Sequence, residues 1–251
     1  MVRSRHRGAY ALGSAKAGLL PSPGPLVSGP REDLVTEASL RALDGLRDLS
    51  TLQWYVIPLL ALVFYVYTAE LKKARETGNW DAIVCGVTVF GMDFVNETVN
   101  GWILCLSGRS ALWTAPGPTA LRTMVGWNIE IMFMFAVSGV IFYNTLSGQK
   151  GRRIAGVPEA WFWAAGYSAF CVFVEWHLNQ AGLLVWEYAF WQRSFFGVWL
   201  IFLFGYFHFY AAAILVMGLA TVRARLVAIG AIYGVAVILN GVGLGLLGWT
   251  Y

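Results

Sequence analysis

Six runs of about twenty apolar residues, separated by short polar connections, constrain this chain more than any other feature. At 1.5 Å per residue, a helix made from such a run crosses about 30 Å of hydrocarbon. The runs are Leu52–Leu71, Ala82–Ser107, Val125–Leu146, Ala160–His177, Gly197–Ala220 and Leu226–Leu247. Charge is scarce as well: 13% of residues are Asp, Glu, Lys or Arg and 58% are hydrophobic. A soluble domain carries about 25% charged residues, so this chain cannot cover a water-facing surface. The expectation is an all-α integral membrane protein of the cell membrane, with a bacterial cytoplasmic membrane as its setting. Residues 51–251 form about six transmembrane helices and leave no room for a second soluble domain.

The polar segments read differently from one another. Residues 1–31 are rich in Arg, Gly, Ser and Pro, and no apolar run follows Arg3, Arg5 and Arg7, so a disordered tail is expected. Over residues 32–50, Leu40, Leu43, Leu46 and Leu49 recur every three positions among Glu37, Arg41, Asp44, Arg47 and Asp48. That stripe predicts an amphipathic helix lying on the membrane surface. Asn179–Phe196 contains the run Leu183–Trp191, too short to cross and too apolar for an ordinary loop, and reads as a re-entrant or interfacial cap. Gly230, Gly234, Gly241 and Gly245 make two GxxxG steps; close packing within the bundle is the first reading and a homodimer the second.

Basic residues set the orientation. Lys72, Lys73 and Arg75, then Lys150, Arg152 and Arg153, then Arg223 and Arg225 share alternate connections, which the positive-inside rule places in the cytoplasm. Both termini then lie outside, with Arg109, Arg122 and Arg193 as interfacial residues on that side. The net charge of +4 is thus a matter of topology and gives no case for nucleic acid. Cys85, Cys105 and Cys171 sit in or beside apolar runs without CxxC spacing and read as small core residues. Nucleotide, dinucleotide and zinc-protease motifs are absent.

Carboxylates inside hydrocarbon cost about 2.5–3.5 kcal/mol each on insertion scales, so their positions carry the functional signal. Asp93, Asn96, Glu97 and Asn100 stand at i, i+3, i+4 and i+7, one face of a helix. Other runs contribute Asn128, Glu130, Glu175, Trp176, His177, Tyr206, His208 and Asn240, and the cap contributes Trp186 and Glu187. Counting 1.5 Å per residue from the outer surface puts Glu97, Glu130, Glu175 and Asn240 about 5–10 Å deep, and Asp93 and His208 about 15–16 Å deep. One polar cavity in the outer half, roofed by the cap, is therefore expected. A structural hydrogen-bond network between helices is the competing reading.

Tryptophan shares the asymmetry. Trp54, Trp102, Trp113, Trp127, Trp176, Trp186, Trp191, Trp199 and Trp249 fall toward the outer side, against Trp80, Trp161 and Trp163 toward the inner. An interfacial belt explains most of them, and the excess is expected to wall the cavity.

Three function classes compete. First is a membrane enzyme in which Asp93, Glu97, Glu130 and Glu175 do acid/base chemistry on a lipid or isoprenoid: cyclisation, isomerisation or hydration. Such chemistry needs no cofactor, and tryptophan faces would stabilise a cationic intermediate. Integral-membrane terpene cyclases are similar in size and in carrying an Asn–Glu pair within a span, here Asn96 and Glu97. Second is an accessory or assembly subunit of a membrane complex. Last is a proton-coupled transporter, disfavoured because no inverted repeat is visible and the inner half holds few polar residues. With His177 and His208 at different depths, neither a bis-histidine haem nor a histidine-rich di-iron site is expected, and no metal or cofactor is assigned.

Overall fold

The protein is described by a computed structural model over residues 34–251. Its helices are α1 (Glu37–Asp44), α2 (Val56–Thr77), α3 (Asp81–Ser107), α4 (Ile129–Thr145), α5 (Glu159–Gln180), α6 (Phe195–Met217) and α7 (Val222–Leu246). α6 becomes π-helical over Ile201–Phe207, and α7 over Gly241–Leu246. Three short antiparallel pairs join the connections: β1 (Trp113–Thr114) with β6 (Val185–Trp186), β2 (Arg122–Met124) with β3 (Trp127–Asn128), and β4 (Arg153–Ile154) with β5 (Val157–Pro158). The expected tail at 1–31 lies outside the described residues.

α3 is the central helix and packs against α4, α6 and α7. Its crossing with α4 is close because Gly86 meets Gly139; a Cβ on Gly139 would stand 2.6 Å from the Cys85 carbonyl oxygen. The GxxxG glycines expected to make such contacts do not. At Gly230, Gly234, Gly241 and Gly245 nothing lies within 4 Å of an added Cβ, so their stripe is turned away from the bundle.

Large apolar side chains point outward around the helices, among them Ile57, Phe64 and Tyr65 on α2, Leu215 on α6, and Leu226 and Ile238 on α7. Exposed apolar area on this scale marks a surface that is not wetted. α3, α6 and α7 are long and apolar enough to cross a membrane, whereas the apolar α4 has 17 residues. α2 runs out into the charged segment Glu70–Glu76.

Three departures from the sequence reading share a cause: apolar residues mark burial, whatever backbone carries them. The third apolar run begins as the β2–β3 hairpin, in which Val125 is fully buried, and its helix starts where Asn128 Oδ1 accepts the Ile131 N–H at 2.9 Å. The surface helix shrinks to the eight residues of α1, which is docked on the protein through Ala38, Ser39 and Ala42 while Leu40 and Leu49 face outward. Small residues let it approach closely, and Thr36 N–H donates to the Arg109 carbonyl at 3.0 Å. The cap between α5 and α6 is irregular chain, held by β6 on β1 with Leu184 and Trp191 buried beneath it.

Arg122, expected at the interface, is a buried loop organiser. Its guanidinium donates to the carbonyls of Ala115 at 2.9 Å and Gly117 at 2.8 Å.

Candidate functional site

The polar face of α3 divides its labour. Asp93, Asn96 and Glu97 line one cavity. Asn100, fully buried, is instead a clamp: its Oδ1 accepts from Leu112 N–H at 2.8 Å and Trp113 N–H at 3.3 Å, and its Nδ2 donates to the Trp113 carbonyl at 2.8 Å. By fixing the backbone at Trp113, Asn100 positions the indole that donates to Glu97 Oε1 at 2.9 Å.

The other walls come from α4, α5, α6, the hairpin and the cap. α4 gives Ile131 and Phe135, one turn apart; α5 gives Glu175; α6 gives Gly205, Tyr206 and Phe209; Gly126, Leu184 and Trp191 complete the lining from the hairpin and the cap. Gly205 and Tyr206 belong to the π-helical stretch, a local irregularity often found at functional sites. The cavity leaves ≈ 30 Å³ for the centres of water-sized molecules, room for about two waters. It can therefore take a group of a few heavy atoms and not a large molecule.

Each of the three acids lining the cavity is held by an indole. Trp127 donates to Asp93 Oδ2 at 2.8 Å, Trp113 to Glu97, and Trp186 to Glu175 Oε1 at 2.8 Å, while the Tyr206 hydroxyl donates to Glu175 Oε2 at 2.6 Å. Tryptophan thus supplies directed donors, and Trp113 and Trp191 also line the cavity. Among the described residues these three acids form no salt bridge. A neutral N–H holds a carboxyl oxygen in place whether or not the acid carries its proton, whereas an arginine would lock it ionised.

Glu97 has a further peculiarity. It is 4% exposed, and its Oε2 has no hydrogen-bond partner among the described residues; the same is true of Trp191 Nε1, on a side chain also 4% exposed. Gly126 is the residue that makes room, since a Cβ there would stand 2.7 Å from Glu97 Oε2 and 2.5 Å from Trp113 Nε1.

Several residues matched in depth point elsewhere. Glu130 faces α2 and the 119–120 loop, accepting from the Tyr55 hydroxyl at 2.6 Å, from Ala120 N–H at 2.8 Å and from the Thr119 hydroxyl. Asn240 ties α7 to Thr98 at 2.7 Å and to the Tyr251 hydroxyl at 3.1 Å. Asn128 caps α4, and Glu187 accepts from the Thr36 hydroxyl at 2.7 Å. His177 is exposed against Phe173, Trp176 is half-buried outside the cavity lining, and His208 Nδ1 sits 3.2 Å from the Leu203 carbonyl. Depth along a helix axis says nothing of direction around it, which is why these residues separate. Among the described residues no group of three or more His, Cys, Asp or Glu is placed to hold a metal ion.

Residues 36–245, from α1 to α7 and including every cavity residue, match an uncharacterized membrane protein family. The chain belongs to that family. It is 38% identical over 214 residues to an uncharacterized protein of Archaeoglobus fulgidus, an alignment covering 85% of this chain and 99% of that one. No solved structure matches. As a member of this family the chain is a membrane protein, in keeping with α3, α6 and α7.

The residues that sequence reasoning left without a role are Trp113, Trp127 and Trp191 as individual partners, and Gly126, Ile131, Phe135, Leu184, Gly205 and Phe209 altogether. The one available signal was the concentration of tryptophan on the same side as the acids.

Proposed function

We propose that this is a multi-pass membrane enzyme in which Asp93, Glu97 and Glu175 carry out acid/base chemistry on the reacting end of a lipid or isoprenoid. The observation behind this reading is the convergence of three acids from two helices on one small cavity, each held by neutral donors and none by a cation. Glu97 is the proton donor or acceptor, Asp93 its partner one turn away, and Glu175 the acid facing them from α5. Acids needed only for structure would be expected to have every oxygen bonded; Glu97 Oε2 lacks a partner among the described residues.

The topology belongs to the same proposal. α2 to α7 are taken as six crossings, with both termini outside and the cap over an outer cavity. In support, Lys73 near the end of α2 bonds Asn144 near the end of α4, and Arg225 at the start of α7 bonds Asp81 at the start of α3. Those contacts gather the basic residues at one end of the bundle, opposite the cap. A reporter fused at Tyr251 should be active only outside; cytoplasmic activity would invert the arrangement.

Glu97→Gln tests the chemistry. The amide keeps shape and hydrogen bonding but carries no transferable proton, so the variant should insert and fold normally while losing its cellular function. Full function in Glu97→Gln, with failure only in Glu97→Leu, would replace the enzyme by an accessory subunit whose polar cluster is architectural.

A further inference from the structure

Two buried polar atoms in the cavity residues lack partners, and they are chemically unlike. Ionised, Glu97 Oε2 accepts a hydrogen bond; Trp191 Nε1 can only donate one. Trp113 touches both side chains, its indole donating to Glu97 Oε1 at 2.9 Å and its ring stacked on Trp191 with centroids 5.7 Å apart. Glu97 and Trp191 therefore flank one indole and line one cavity.

A group that satisfies both must donate and accept at once. An ammonium has no lone pair for the Trp191 N–H. A phosphate or carboxylate has no donor for Glu97 and would meet the acids Asp93 and Glu175 in the same small space. A hydroxyl has both functions and the right size, since about two waters' worth of room holds an O–H and one methylene. The apolar walls Ile131, Phe135 and Leu184 suit a methylene better than a second water, which needs two to four polar partners of its own.

We propose that the cavity seats the primary hydroxyl of a long-chain alcohol, its O–H donating to Glu97 Oε2 and its oxygen accepting from Trp191 Nε1. This rests on the acid/base reading for the lipid or isoprenoid class of its substrate and names the group by which that substrate is held. An isoprenoid alcohol and a diacylglycerol share the recognised chemistry.

The test is saturable binding of tritiated farnesol to the full chain in phosphatidylcholine nanodiscs, counted against empty discs and repeated with farnesyl methyl ether and dioctanoylglycerol as competitors. The alcohol should bind at least tenfold more tightly than the ether, which keeps the oxygen and loses the donor. Trp191→Phe should weaken farnesol and the ether alike, each about fivefold, because both keep the accepting oxygen. Displacement by dioctanoylglycerol would assign the hydroxyl to glycerolipids, and its failure to displace would assign it to isoprenoids. Equal competition by alcohol and ether, or no saturable farnesol binding, would overturn the proposal and leave a cavity for water alone. These wild-type comparisons decide the matter even if Trp191→Phe does not fold. Alcohol-selective binding together with full cellular function of Glu97→Gln would remove the acid/base reading and keep the hydroxyl seat. Loss of function without alcohol selectivity would do the reverse.

Discussion

The two ends of the helical bundle hold their acids in opposite ways. At the basic end, Asp81 pairs with Arg225, Glu159 lies 3.6 Å from Arg152, and Glu70 lies 3.7 Å from Lys73. Arg225 also donates to the carbonyls of Leu219 and Met217, closing the turn between α6 and α7. At the cap end the buried acids meet indoles and a phenol, while Arg122, the one buried arginine among the described residues, spends its donors on carbonyls. Glu159 is itself buried, but its partner Arg152 and the other two cations are partly exposed, and where water reaches, opposite charges can pair without full desolvation and each pair contributes little. Away from water a cation would fix its acid as an anion at a high desolvation cost, whereas a neutral donor leaves the proton free to come and go. The basic end is built to join helices; the cap end is built around acids that keep their places in either protonation state.

Substitutions at the two ends should separate these designs. Asn100→Leu should have the largest effect, because it strips partners from Leu112 N–H, Trp113 N–H and the Trp113 carbonyl, each worth about 1–3 kcal/mol when buried. Loss of monodisperse protein on extraction is the expected result, and a well-folded variant would show that the clamp does not organise the cap end. Gly126→Ala comes next, at about 1–3 kcal/mol of overpacking against Glu97 and Trp113, read as a lowered thermal midpoint in detergent. Trp186→Phe removes one of two donors to Glu175 and should cost about 1 kcal/mol, with Tyr206 keeping the acid in place. If cellular function falls no further than that loss of stability explains, Glu175 has only an architectural role. Lys73→Ala at the basic end should be smallest, below about 0.5 kcal/mol, and should shrink further in high salt. A large, salt-insensitive effect there would erase the contrast between the ends.

Part of the site was legible before any coordinates. The i, i+3, i+4, i+7 spacing put Asp93, Asn96, Glu97 and Asn100 on one face because helical geometry is local and regular. It could not show that Asn100 is turned to the chain at 112–113 while its neighbours open on the cavity, since that depends on a connection twelve residues away. Trp113 and Trp127 looked like members of an interfacial belt, and each is the donor to a particular acid. The α1 stripe misled for a related reason: its leucines satisfied a helical period, but the docking face consists of Ala38, Ser39 and Ala42, chosen by how closely the β2–β3 hairpin approaches.

Sequence by itself determined that this is a helical membrane protein and that several of its apolar runs carry polar groups, because hydropathy is a property of each segment alone. Only the tertiary structure decided that Glu175 joins Asp93 and Glu97 while Glu130 turns to Tyr55 and Asn240 to Thr98. Rotation of a helix about its own axis is set by what packs against it. That packing comes from connections such as 108–128 and the cap, whose apolar residues look alike in sequence until their partners are known.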